Sequence, residues 1–320
     1  MDILQNIKVP TGNILVVSGD IGKLELISVG DYGKDVNMKA DFLGLSREPS
    51  PIRHTDIMPL TKKWVITVST QYGCAMGCNF CDVPLVGNGE NCTENDIVNQ
   101  VKTAMSLHPE ITHTDRLNIH FARMGEPTWN FNLLKAMTRI CDDIVGFNIH
   151  PVISTMMPKN NKELSLFMCW WMDVKNIIFK GNAGLQLSIN STSEAERNIM
   201  FNNNCLPLNG IHKIMKDLIP KGRKIALNFA MADYEIDPQI LLKYFDPKYY
   251  ICKLTPMHKT STALKNDIKT KGDYTSYYSY KYYERALLRA GYDVIVFIAS
   301  KEEDLSRITC GNAILSGKYS

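Results

Sequence analysis

No stretch of the 320 residues approaches the roughly 20 consecutive apolar side chains that a membrane-crossing helix needs, so no membrane partner is expected. The first eight residues do not join a basic segment to an apolar one, so no secretory leader is expected there. Nor is there a long run of one charge. Thirty-six Lys and Arg stand interspersed with thirty-three Asp and Glu, for a formal net charge of +3. Without a basic arm, any contact with phosphates has to be a local patch. A disulfide framework is missing as well: nine cysteines is an odd number, and outside one loop they stand singly at 92, 141, 169, 205, 252 and 310. That usage fits a reducing compartment, and a cytoplasmic protein is expected.

What the chain does have is an ordinary globular composition, 45% hydrophobic and 22% charged. Its length lies slightly above the usual ceiling for one hydrophobic core. Residues 1–61 are expected to form an N-terminal β extension and loop, and residues 62–320 the main body. Within the extension, 13–18 and 23–28 are strand-like runs separated by a Gly-Asp-Ile-Gly turn. The stretch 31–60, with Pro49, Pro51 and Pro59, reads as loop. Beyond it, apolar β-branched runs occur at 64–69, 117–121, 149–154, 185–189, 225–230, 250–254 and 293–297. They alternate with helical patterns near 94–107, 131–144, 160–171, 208–219, 237–244 and 275–290. Such alternation implies right-handed βαβ units on a parallel sheet. The fold expected is α/β, a partial parallel (β/α)6 barrel with a small N-terminal β extension.

The most informative residues are Cys74, Cys78 and Cys81, spaced C-x3-C-x2-C in one loop directly after the first main strand. Three thiolates so gathered can hold three irons of a 4Fe-4S cluster and leave the fourth iron open. The alternative is a zinc loop in a non-catalytic interaction module, which takes four closed ligands. Cys92 is near in sequence, but no paired C-x2-C knuckle accompanies it. After the second main strand, Gly125 lets the backbone come close to a ligand and Glu126 offers a carboxylate. Both fall at the carboxyl end of a strand, where ligand sites of parallel sheets gather.

The cysteine spacing resembles the radical S-adenosylmethionine superfamily. Taken in order, the cysteine loop at 69–81, Met-Gly-Glu-Pro at 124–127, Ser154-Thr155, Leu-Ser-Ile-Asn at 187–190 with Glu196-Arg197, and Ile-Thr-Cys-Gly at 308–311 resemble the RlmN/Cfr family of RNA adenine methyltransferases. The match spans roughly residues 64 to 315. The resemblance implies a 4Fe-4S cluster on Cys74, Cys78 and Cys81, S-adenosyl-L-methionine on its open iron, a flavodoxin- or ferredoxin-like electron donor and an RNA substrate. It implies that Cys310 is methylated first, and that a 5'-deoxyadenosyl radical then activates that methyl group for addition to carbon 2 or carbon 8 of adenine. It also implies that Gly125 and Glu126 hold the methionine amino group, with Ser154 and Ser188 at the ribose or carboxylate. Asn190 and His258 stand where the family usually has histidine and asparagine, and either can hydrogen-bond.

Two departures qualify that resemblance. Thr67 stands where the family has a second catalytic cysteine, and a hydroxyl is far less acidic than a thiol and closes no disulfide. Methyl transfer is then expected to stall at a covalent adduct unless another thiol, Cys252 or Cys205, reaches the site. The short β extension also replaces a larger helical accessory domain, which leaves open a radical enzyme that acts on a nucleotide or another non-RNA substrate without methylating Cys310. The tyrosine-rich segment 273–285 reads as an amphipathic helix packing part of its aromatics, with a base-stacking platform as the alternative. Trp170-Trp171 reads as helix packing.

Overall fold

The computed structural model describes residues 1–30, 57–270, 278–297 and 310–317. Most of the stretch expected as loop, 31–56, lies outside them, as do 271–277, which include the start of the tyrosine-rich segment, and 298–309 ahead of Cys310. Twelve strands occur among the described residues. Three come from the N-terminus: β1 (Ile3–Val9), β2 (Gly12–Ser18) and β3 (Lys23–Gly30). Seven carry the main sheet: β4 (Trp64–Val68), β7 (Thr114–Phe121), β8 (Phe147–Thr155), β9 (Gly184–Ser188), β10 (Ile225–Met231), β11 (Tyr250–Pro256) and β12 (Asp293–Val296). Two short strands, β5 (Gln71–Gly73) and β6 (Asn88–Asn91), pair with each other around the cysteine loop.

Ten strands form one mixed sheet in the order β1-β2-β3-β4-β7-β8-β9-β10-β11-β12. The pairs from β1 to β4 are antiparallel, and every pair from β4 to β12 is parallel. The N-terminal strands therefore extend the main sheet, and all seven main strands lie where the apolar runs predicted them. The strand β1 is an addition that the sequence pattern did not signal.

Helices occupy the crossovers. They are α1 (Glu94–Met105), α2 (Asn132–Asp143), α3 (Leu164–Asp173), α4 (Glu194–Met200), α5 (Leu208–Met215), α6 (Pro238–Leu242), α7 (Ser261–Lys265), α8 (Tyr278–Arg289) and, after Cys310, α9 (Asn312–Ser316). Helix α1 begins at a capping box in which Thr93 and Asp96 satisfy each other's backbone N–H groups. The short helices α4, α7 and α9 had no apolar periodicity long enough to be read from sequence. In α3, Trp171 is fully buried and donates its indole N–H to Gly184 O at 3.1 Å, and Trp170 packs edge-on against Phe167. In α8, Tyr280 and Tyr283 are buried while Tyr282 is 74% exposed.

The two faces of the sheet differ. In β10 and β11 the residues Ile225, Leu227, Phe229 and Met231, and Tyr250, Cys252, Leu254 and Pro256, are buried, while the residues between them are partly open. Apart from Pro256, which lines the cavity, the buried set packs in the main core, where each large apolar side chain contributes about 1.5–3 kcal/mol. The alternate set faces a cavity. Laid flat, six strands would span roughly 24 Å at about 4.8 Å spacing. Yet residues from β8, β9, β10 and β11, and from the segments just after β7 and β12, all line one cavity of about 390 Å³. The sheet must curl around that cavity. Among the described residues no strand pairing closes it into a complete barrel.

Candidate active site

The cavity opens at the carboxyl ends of the parallel strands, and the cysteine loop forms one of its walls. Cys74, Cys78 and Cys81 all line it, together with Gly125, Glu126, Ser154, Ser188, His258 and Cys310. The loop is held at nearly every residue. Asn79 N donates to Met200 O at 2.9 Å, Asn204 Nδ2 to Met76 O at 2.7 Å, and Thr260 Oγ1 to Phe80 O at 2.8 Å. Gly73 turns the chain at φ +80°, where a Cβ would stand 1.9 Å from Gly87 O. Met76 and Cys78 are packed under a small apolar cap of Met200, Phe201, Met257 and Ala263.

Burial pushes the Cys74 thiol up to about 12, with the nearby Glu126 and Cys310 adding to the rise. It pushes Cys78 and Cys81 up as well, and the other cysteines raise both further. Three thiolates at this spot therefore demand a compensating cation, and a bound metal cluster supplies one. Among the described residues no group of three or more His, Cys, Asp or Glu side chains closes around a single ion. A cluster asks for less, because each thiolate takes its own iron. Cys92 is fully buried, its carbonyl accepts from Asn130 and Asn132, and it does not line the cavity.

Gly125 sits at φ +98°, and a Cβ there would stand 2.6 Å from the Gln71 side chain. Glu126 is 2% exposed and accepts from Thr128 N, Thr128 Oγ1 and Met156 N at 3.1, 2.8 and 2.9 Å. The Thr155 side chain also hydrogen-bonds this carboxylate, which lines the cavity, where a ligand donor can share its oxygens. Burial raises the Glu126 carboxyl above its ordinary value despite the hydrogen bonds from Met156, Thr155 and Thr128, which pull it down. Asn228 also lines the cavity, and its Oδ1 is buried without a hydrogen-bond partner among the described residues. Such an orphaned acceptor suits a ligand hydroxyl or amine. These features fit a polar cofactor with an amino group.

Cys310 reaches the cavity from the other end of the chain. The carboxylate of Glu25 on β3 accepts from Gly311 N at 2.8 Å and Ile314 N at 2.9 Å, fixing the start of α9. The same carboxylate pairs with Arg123 at 2.8 Å, both side chains being buried. Arg123 Nη1 lies 3.7 Å from Cys310 Sγ, which itself lies 3.9 Å from Ala122 O. Burial pushes the Cys310 thiol up, and Arg123 pulls it part of the way back.

Several expected residues have other positions. Asn190 lies in the left-handed region at φ +60° and is 3% exposed, its Oδ1 accepts from Ala230 N at 3.0 Å, and it does not line the cavity. Its amide caps the end of β10. Cys252 is fully buried on the outward face of β11, away from the cavity. Cys205 is buried with its sulfur 3.5 Å from Arg197 Nη2, and it does not line the cavity either. Thr67 lies on β4 opposite Ile27 and His120, outside the cavity lining. Sequence reasoning missed Arg123, Gln186, Asn228 and Lys253, all of which line the cavity. A usable signal was present: Gln186 with Ser188, and Lys253 with Thr255, are polar at a period of two inside otherwise apolar strands.

No family model matches the sequence. The chain is 39% identical over 90 residues to a dual-specificity RNA methyltransferase RlmN of Halorhodospira halophila, covering 28% of this chain and 24% of that protein. It is 34% identical over 149 residues to the RlmN of Desulfosudis oleivorans, covering 45% and 38%. It is 28% identical over 185 residues to that of Anaeromyxobacter dehalogenans, covering 54% and 46%. The chain thus spans less than half the length of these relatives. A solved radical SAM methyltransferase from Sphaerobacter thermophilus superposes with a TM-score of 0.67 at 19% identity, over 97% of this chain and 80% of that one. That likeness is one of fold.

Proposed function

We infer the function from the chain's membership in the radical S-adenosylmethionine RlmN/Cfr-type family, which its curated relatives support. The reading is a radical S-adenosylmethionine methyltransferase that modifies an adenine-type base of RNA, with Cys310 as methyl carrier. One observation carries it: Cys310 opens into the same cavity as Cys74, Cys78 and Cys81. The relatives, which are named RNA methyltransferases, support the RNA substrate.

When bound, a 4Fe-4S cluster on the three cysteines and S-adenosyl-L-methionine would supply a transferable methyl group and a hydrogen-abstracting radical, with electrons from a flavodoxin- or ferredoxin-like donor. The chain's own residues bind, orient and shield. Glu126 offers its carboxylate to the cofactor's amino group, and Gly125 lets the backbone approach. Ser154, Ser188 and Asn228 offer hydroxyl and amide groups to the ribose or carboxylate, and His258 lines the same cavity. Met76, Met200, Phe201 and Met257 keep water from one side of the loop. Cys310 would release its proton to solvent and take the methyl group at sulfur from S-adenosyl-L-methionine, which would leave as S-adenosylhomocysteine, and would then present that methyl group to the base.

Anaerobic reconstitution with iron and sulfide, incubation with S-adenosyl-L-methionine and mass spectrometry of the tryptic peptide 308–318 test this reading. A single methyl group on Cys310 is the expected result. If Cys310 stays unmethylated while S-adenosyl-L-methionine is cleaved, the carrier role is lost. Stoichiometric zinc with no cleavage would sink the enzyme reading altogether.

A further inference from the structure

We propose that Arg123 is the charge partner that fits Cys310 to act as a nucleophile, an assignment that rests on the reading of Cys310 given above. Cys310 Sγ meets the guanidinium of Arg123 at 3.7 Å and the carbonyl of Ala122 at 3.9 Å. The carbonyl repels a thiolate, so the guanidinium is the contact that favours one.

Arg123 is held for that task. It lies two residues past the end of β7 and is only 5% exposed, so its side chain has little water to turn toward. Its Nη2 is fixed on Glu25 Oε2 at 2.8 Å, which leaves Nη1 on the side of the sulfur. A planar guanidinium suits this double duty, because its fork serves two partners in fixed directions. Glu25 fixes the other half of the contact as well. By accepting from Gly311 N and Ile314 N, it sets the backbone next to Cys310 from the same carboxylate that orients Arg123. Cation and sulfur thus share one anchor. The Glu25–Arg123 pair is neutral by itself, so a proton lost from Cys310 adds a single negative charge beside a guanidinium already in place.

The test is the alkylation rate of Cys310 in the anaerobically reconstituted full chain. The probe is iodoacetamide, which the sulfur attacks at carbon with release of iodide. The rate is read on the tryptic peptide 308–318, with the exposed Cys169 as internal reference and deuterium uptake of the same peptide as a measure of docking. Arg123→Met is expected to slow Cys310 alkylation at least tenfold relative to Cys169, and Arg123→Lys to recover most of that loss. If Arg123→Met folds poorly, Arg123→Gln, which keeps a hydrogen bond to Glu25 without the charge, is judged by the same criterion. Alkylation as fast as in the unaltered chain overturns the assignment. Faster alkylation with raised deuterium uptake also overturns it, leaving Arg123 as a latch only. The measurement needs no S-adenosyl-L-methionine, so its outcome is independent of whether Cys310 proves to be methylated.

Discussion

The carboxylate of Asp82, one residue past Cys81, accepts a 3.0 Å hydrogen bond from Asn312 Nδ2, two residues past Cys310. The same carboxylate also accepts from Ser261 N, Thr262 N and Thr262 Oγ1, at 3.1, 2.8 and 2.6 Å. Those hydrogen bonds hold its carboxyl below the ordinary value against the opposing effect of burial. The cysteine loop, α7 and the helix that follows Cys310 thus meet at one side chain.

Asn312→Ala removes the link between loop and helix while leaving the other three contacts of Asp82 in place. It should loosen the peptide 308–318, with faster deuterium uptake there and a loss of about 1 kcal/mol, the net worth of one hydrogen bond. Iron content per chain should not change. Unaltered uptake would show that Glu25 alone docks α9.

Gly125→Ala places a Cβ within 2.6–2.8 Å of Gln71 atoms and forces alanine to φ +98°. Backbone strain of this kind costs roughly 1–3 kcal/mol. The neighbouring Glu126 N–H, which donates to Gln71 Oε1 at 2.8 Å, should shift with it. A lower urea midpoint together with weaker S-adenosyl-L-methionine binding is expected, measured by denaturation and by anaerobic equilibrium dialysis.

Glu126→Gln keeps the shape of the side chain and removes its charge. A hydrogen bond to a charged group is worth about 1.5–3 kcal/mol, so affinity for S-adenosyl-L-methionine should fall by roughly ten- to a hundredfold. Equilibrium dialysis reads the loss directly. An unchanged affinity would remove Glu126 from the cofactor site.

Lys175 offers a pH test away from the cavity. It is fully buried, donates to Gly181 O and Lys221 O at 2.9 and 2.8 Å, and has its ammonium pulled down to about 8 by burial, with Arg223 adding to the effect. Between pH 8 and 10.5 the unfolded chain therefore binds more protons at this site than the folded one. The contribution of Lys175 to stability is then greatest above 10.5 and is lost as pH falls through 8. The difference in urea midpoint between the unaltered chain and Lys175→Met should change over that window in this direction. A flat difference would mean that the two carbonyl contacts hold the amine charged.

Thr67→Cys returns a thiol to β4 on the face shared with His120. If Thr67 is what stalls the transfer, this substitution should convert a protein–RNA adduct into released methylated RNA. Gel shift of the protein and mass analysis of the RNA read the two states. An adduct that persists would direct attention to other thiols, although Cys252 and Cys205 both lie outside the cavity lining.

Much of this protein is set by local pattern alone. Alternating β-branched runs and amphipathic stretches fix the seven parallel strands, because each periodicity allows one way to bury its apolar face. The spacing of Cys74, Cys78 and Cys81 likewise puts three thiols in one loop, whatever surrounds it. What only the tertiary structure decides is which distant side chains share a space. Arg123 and Cys310 are 187 residues apart, and Glu25 and Gly311 are 286 apart, so no period or motif joins them. Curling of the sheet brings those ends together, and burial then makes an ion pair and a thiol depend on one another. Asn190 shows the same limit from the other side: its residue type suits a cofactor contact, but the backbone at φ +60° turns its amide to Ala230 N.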